Sequence, residues 1–204
     1  MSQLEKIMQD RHSVRVYDPN FEISREEIAE MLKQAATAPS SSNLQPWRFM
    51  VIQDQEVKKE LRAIAYNQEQ VETASAVIAV LGDSEAYKKT EQIYKQNVEE
   101  GLMAAEVSER MIASTTATYS KAPAEVLRNI ATFDAGLISM QLMLIAKERG
   151  YDTVAMGGFD KVKFAQHFKL EENVFPVILL ALGKAAAPAY GSSRLPIDQL
   201  TTFM

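Results

Sequence analysis

Arg11, Ser13 and Arg15 alternate along the segment RHSVRVYDP, so in an extended chain two guanidinium groups and a hydroxyl share one face. At about 3.3 Å per residue the two arginines lie ~13 Å apart, a separation suited to opposite ends of a mononucleotide rather than to a single phosphate. A solvated, charged strand edge produces the same alternation. Farther on, PSSSNLQPW supplies Ser40, Ser41, Ser42, Asn43 and Gln45, neutral donors and acceptors that match hydroxyls and the amide edges of a heterocycle. Serine-rich turns, and a core tryptophan such as Trp47, have that composition too. Gly157 and Gly158 follow an apolar run, where missing side chains either let backbone amides approach a planar ligand or permit positive φ in a tight turn. Arg194, in SSRLP, is either a phosphate ligand or a solvated tail residue.

The elements that must position these residues follow from hydrophobic periodicity. Leu4, Ile7 and Met8 have helical spacing, which places Arg11 just after a helix, and Asp18-Pro19 stops the extended segment. Ser24 with Glu27 forms a capping-box pattern, and Ile23 with Ile28 a hydrophobic staple, opening a helix that ends near Pro39. WRFMVIQ and SAVIAVL read as strands on either side of a helix over Gln55 to Tyr66. The polar stretch from about Glu85 to Ser114 predicts a long amphipathic helix, open to interruption at Gly101 and placed to cover a site.

From Pro123 to Arg149 the pattern is helical, with Gly150 as its stop, and DAGLISMQLMLIA is apolar on nearly all faces, as a central helix would be. DTVAM and FPVILLAL are two further strands, with Asp160 as N-cap of a helix between them. Strands alternating with helices predict an α/β sandwich, and 204 residues with 47% hydrophobic content predict one domain, 1–204. The tail, AAAPAYGSSRLPIDQLTTFM, is too irregular to pack as a helix and is expected to lie along something else, such as a partner subunit.

Composition removes several classes of function. Twenty-two Lys and Arg against 27 Asp and Glu leave a formal charge of −5, without the basic surface that nucleic acid requires. With no cysteine there is neither disulfide nor thiolate chemistry, and a reducing cytoplasm is compatible. His12 and His167 fit no metal-binding spacing, so no metal is expected. GxSxG, GxGxxG and P-loop motifs are missing, MSQLEKIMQDRH lacks the basic and apolar regions of a secretory signal, so no targeting is expected, and the apolar run Leu137 to Ala146 is expected to fall short of a membrane span.

Taken in order, RHSVR, APSSSNLQPW, DAGL, GGFD and SRLP resemble the FMN-dependent nitroreductase family, from about Arg11 to Pro196. The resemblance implies an α+β three-layer sandwich: a mixed, mainly antiparallel sheet flanked by helices, a long central helix at a homodimer interface, and a C-terminal tail extending onto the partner. It implies bound FMN, with Arg11, His12 and Ser13 at the phosphate and Arg15 toward the ribityl chain and pyrimidine. Pro39, Ser40, Ser41 and Asn43 would reach the flavin of the opposite subunit, and Asn67 and Gln70 would face the ring. The amides of Gly157 and Gly158 would lie near flavin N5 and O4, and Arg194 would join the phosphate. Tyr119 and Phe133 would line the substrate.

Three positions depart from the pattern of some members: Gln70 for lysine, Gly157 for glutamate and Ser192 for lysine. The implied activity is ping-pong transfer from NADPH or NADH to nitroaromatics, quinones or similar acceptors in the cytoplasm, the flavin carrying the electrons. Enoate reduction, dehalogenation or flavin fragmentation on the same scaffold, a flavin-binding redox module without turnover, and a flavin-free scaffold protein are the alternatives.

Overall fold

The computed structural model describes residues 1–204. Its sheet has four strands, β1 (Trp47–Ile52), β2 (Ala76–Asp83), β3 (Asp152–Met156) and β4 (Val174–Gly183), in the order β1-β2-β4-β3. Each neighbouring pair is antiparallel. The parallel component is confined to one bridge, Ser13 with Thr153, outside the edge of β3.

Strand β2 is buried along its whole length, which explains why its sequence is a continuous apolar run rather than an alternation. Its residues divide by parity between two cores. Val77, Ala79 and Leu81 pack with Leu61 and Phe164, beneath α3 (Gln55–Ile64) and α8 (Lys161–His167). Ala76, Ile78 and Val80 pack with Ile28, Met31, Ile138 and Leu142, beneath α2 (Arg25–Ala35) and α7 (Ala124–Glu148). Period-two side-chain direction thus makes two helical layers around one sheet, the expected three-layer sandwich.

Helix α7 turns Ala131, Ala135, Ile138, Leu142 and Ala146 toward the sheet at helical spacing. Its other side leaves Phe133 66% and Met140 40% exposed, so within one chain only part of its apolar surface is covered. The helix has the length and composition of a membrane span, contrary to the expectation that the apolar run within it would fall short. Its sheet-facing stripe and its buried Asp134 mark it as a core helix instead.

Ser24 caps α2 by accepting from Glu27 N at 3.1 Å, and Ile23 and Ile28 share a core as a staple should. The reciprocal half of the expected capping box does not form. The Glu27 carboxylate accepts from Arg149 Nη1 at 3.2 Å, because a guanidinium is a stronger partner than a backbone amide. A complete box occurs at α1 (Gln3–Asp10), between Ser2 and Glu5. The middle region breaks as anticipated at Gly101, whose φ of 72° ends α5 (Thr90–Glu99) before α6 (Ala105–Tyr119) begins. The remaining helix, α4 (Gln70–Thr73), is a single turn leading into β2. Beyond β4 the chain makes one antiparallel bridge, Ala185 with Tyr17, and a short 3-10 turn, Ile197–Gln199, with Leu195, Ile197, Leu200 and Phe203 exposed.

Candidate functional site

The segment after α1 is pinned at two places. Val14 N donates to Thr153 O at 3.1 Å, while Asp18 N donates to Lys184 O and Ala186 N to Val16 O, each at 2.9 Å. Val14 and Tyr17 point into the core; Arg11 and Ser13 are half-buried, and His12 and Arg15 are exposed. Burial, reinforced by Asp152, pushes the Tyr17 phenol far above its ordinary range, so it stays protonated and donates to Ala181 O. The His12 ring is 3.0 Å from Asp10 O through Nδ1, and Arg15 Nη1 donates to Ser13 O at 3.3 Å. Arg11 Nε is the one buried side-chain nitrogen or oxygen in the chain without a hydrogen-bond partner. A guanidinium cannot shed its proton, and an unmet buried donor costs about 1–3 kcal/mol, so this position calls for an acceptor from outside the fold.

Strand β3 carries the second part of the site. Thr153, the bridge partner of Ser13, precedes Gly157 by four residues, or ~13 Å along the strand. Neither glycine has positive φ, and a Cβ built on either would meet no atom within 4 Å. Neither a positive φ nor internal packing therefore requires glycine at these two positions, and their backbone is open to an approaching ligand. Gln68, which sequence reasoning passed over, holds this turn: its Nε2 donates to Gly158 O at 2.7 Å and to Ala65 O at 3.1 Å. Gln70 is buried and donates to Gln68 Oε1 at 3.0 Å. Asn67 is exposed beside them, with φ of 60°. Gln68 lies in the polar run NQEQ, where nothing in its type distinguishes it from a solvated loop residue.

The serine loop is built elsewhere. Ser42, Asn43 and Gln45 all have φ near 50°, in the left-handed region that non-glycine residues avoid. Ser41 donates its N–H to Asp134 Oδ2 at 3.0 Å and its hydroxyl to Oδ1 at 3.3 Å, and Ser40 Oγ accepts from Gln45 N. Tyr94 OH donates to Ser42 O at 3.0 Å, and Tyr119 OH lies 3.1 Å from Ser42 Oγ. The Ser41 hydroxyl is thus engaged within the chain, and Tyr119, expected as a substrate-lining residue, holds the loop. Pro39 and Asn43 remain exposed. No hydrogen bond joins this loop to the Arg11 segment or to the glycine turn. The hydrogen bonds of the Arg194 guanidinium stay within the tail, on Ser192 and Ser193.

Residues 8–184 match the profile of the Nitroreductase family, ending where the tail leaves β4. The chain belongs to the nitroreductase family. YdgI of Bacillus subtilis, provisionally named an NAD(P)H nitroreductase, is 51% identical over 197 residues, 96% of this nitroreductase-family chain and 94% of its own. A CLA biosynthesis enone reductase of Lactiplantibacillus plantarum is 33% identical over 98% of the chain and 94% of its own length. The crystal structure of an Exiguobacterium sibiricum protein in complex with FMN superposes with a TM-score of 0.95 at 45% identity, covering 100% of the chain and 98% of its own.

The glycine turn of this nitroreductase provides a test. Gly158→Val is expected to leave the stability of the flavin-free protein within about 0.5 kcal/mol, since its side chain enters open space. FMN affinity should fall by roughly tenfold or more, the equivalent of about 1.4 kcal/mol. Chemical denaturation and flavin titration separate the two effects, and a valine variant with undiminished affinity would remove the turn from the site.

Proposed function

We propose that the chain is an FMN-dependent NAD(P)H oxidoreductase that reduces nitroaromatics, quinones or similar electron-poor small molecules, acting as a cytoplasmic homodimer. The unpaired Arg11 Nε carries the reading: it asks for an anionic acceptor, at the end of a site whose other end is the open backbone of Gly157 and Gly158. Arg11, His12 and Ser13 would hold the phosphate, and Arg15 would neutralise charge that gathers on the pyrimidine side. Gly157 and Gly158 would offer amides toward the ring, with Asn67 and Gln70 beside it. When bound, FMN supplies electron transfer from NAD(P)H to the acceptor, in ping-pong order. The residues named bind, orient and stabilise charge, and none need act as nucleophile or general base.

Several features support the dimer. Phe133 and Met140 on α7, with Leu4 and Met8 on α1, are apolar and exposed, and so are Leu195, Ile197, Leu200 and Phe203 in the tail. An apolar groove between α2 and the open edge of β1, lined by Ile28, Leu32, Met50 and Ile52, would receive such a tail from the partner. In the dimer, Pro39, Ser40, Ser41 and Asn43 would reach the partner's flavin, and Arg194 would bring its guanidinium to a phosphate. Phe133 would line the acceptor pocket. The likeness to the Lactiplantibacillus plantarum enone reductase favours enone reduction as a second reading on the same scaffold.

A visible spectrum recorded anaerobically tests the activity. Flavin bands should bleach on addition of NADPH or NADH and return with a nitroaromatic or quinone. Recovery only with an enone would select the second reading. Protein that stays colourless and binds no added FMN would overturn both, and a sedimentation coefficient for a monomer would overturn the dimer.

A further inference from the structure

Asp134 is 1% exposed, lies on the core helix α7, and pairs with no cation. Burial pushes its carboxyl above the usual carboxylate range, and the two donors of Ser41 only partly offset this. A carboxylate taken out of water without a counter-ion is costly, and a hydrophobic residue would suit a core helix better. Its side-chain hydrogen bonds both go to one residue of the loop that holds three non-glycine residues in the left-handed region. That backbone persists only where the surroundings over-determine it. Two further hydroxyls close on the next residue: Tyr94 from α5 on Ser42 O, and Tyr119 from α6 on Ser42 Oγ. Three helices therefore converge on two consecutive loop residues and leave Pro39 and Asn43 exposed on either side.

We infer that Asp134 is a positioning residue for flavin binding, which locks Ser41 and, together with Tyr94 and Tyr119 at Ser42, presents Pro39 and Asn43 to the FMN of the opposite subunit. The inference rests on the reading of that loop as flavin-facing. It goes further by naming the buried group that sets the loop's shape without touching the ligand. It also explains the hydrogen-bond pattern: Asp134 accepts from both the backbone and the hydroxyl of Ser41, and so fixes the peptide as well as the side chain.

The test compares FMN dissociation constants of Asp134→Ala, Asp134→Asn and Arg149→Ala, read by quenching of flavin fluorescence below the melting point of each flavin-free protein. Asparagine keeps an acceptor for Ser41 N–H and can donate to its hydroxyl, so its constant should stay within about threefold of the parent. Alanine leaves the loop unheld and should raise the constant roughly tenfold or more. Arg149→Ala breaks the ion pair with Glu27 at the far end of α7 and serves as a control for destabilisation alone, with the constant unchanged. Unchanged binding in Asp134→Ala, equal losses in the alanine and asparagine variants, or an equal loss in Arg149→Ala would each overturn the inference. Should Asp134→Ala not fold, Tyr94→Phe decides: it removes one loop contact and should weaken FMN roughly threefold, and no change would sink the inference. Failure of the parent protein to bind FMN would instead defeat the reading of the loop itself.

Discussion

Arg11→Ala is expected to raise the FMN dissociation constant about 10- to 100-fold, the effect of losing a charge-assisted contact of roughly 1.5–3 kcal/mol. The whole loss should appear in the bound state. Without ligand, Arg11 Nε is a buried donor with no partner, so deleting it removes an unfavourable group from the free protein. The flavin-free form should consequently melt at an unchanged or slightly higher temperature while the flavin-loaded form melts lower. Opposite signs in the two states would distinguish a ligand-binding arginine from one that merely braces the end of α1. Arg11→Lys should recover part of the affinity through its charge, but not the planar fork of donors. Flavin titration with thermal melts on both forms reads all of this, and an unchanged dissociation constant would release Arg11 from the phosphate.

Phe164→Ala should cost about 3–5 kcal/mol of unfolding free energy, a large share of the roughly 5–15 kcal/mol that holds a domain of this kind together. Phe164 is fully buried on α8, with its ring 5.6 Å from Phe159 in an edge arrangement and 4.6 Å from Phe168. Phe159 follows Gly158 directly, so the same cavity loosens the anchor of the glycine turn. The flavin-free variant should unfold at lower denaturant with an unchanged m-value, and saturating FMN should restore part of the loss by mass action. A loss below about 1 kcal/mol would mean that the site collapses around the deletion, and Phe159 would then not depend on this packing.

Much of the architecture is legible from local pattern. DTVAM is β3 and all of SAVIAVL but its Ser75 lies in β2; Asp160 caps α8 by accepting from Lys163 N at 2.9 Å, and Gly101 divides the middle helices. Each of these depends on interactions within a few residues: a short apolar run suited to a strand, a side chain reaching a backbone amide three positions on, or a backbone that favours φ above zero. The half-formed capping box shows where locality ends. Ser24 and Glu27 have the right types and spacing, but Glu27 turns to Arg149, 122 residues away, a partner that α2 could not reveal.

The site divides in the same way. The alternation of Arg11, Ser13 and Arg15, the serine loop and the glycine pair each have an ordinary surface or turn explanation, and it is their order along the chain that determined which ligand chemistry to consider. Tertiary structure alone decided that Arg11 Nε is left unpaired, that neither positive φ nor packing demands the glycines, that Gln68 holds their turn, and that Tyr119 and Asp134 hold the serine loop. Asp134 is the plainest case, since within DAGLISM it reads as one polar residue on an apolar helix. A sequence displays donors and acceptors but not which of them meet. Those pairings form between segments far apart in the chain, when β3, α7 and the loops come together, and only then does a polar group become either satisfied or available to a ligand.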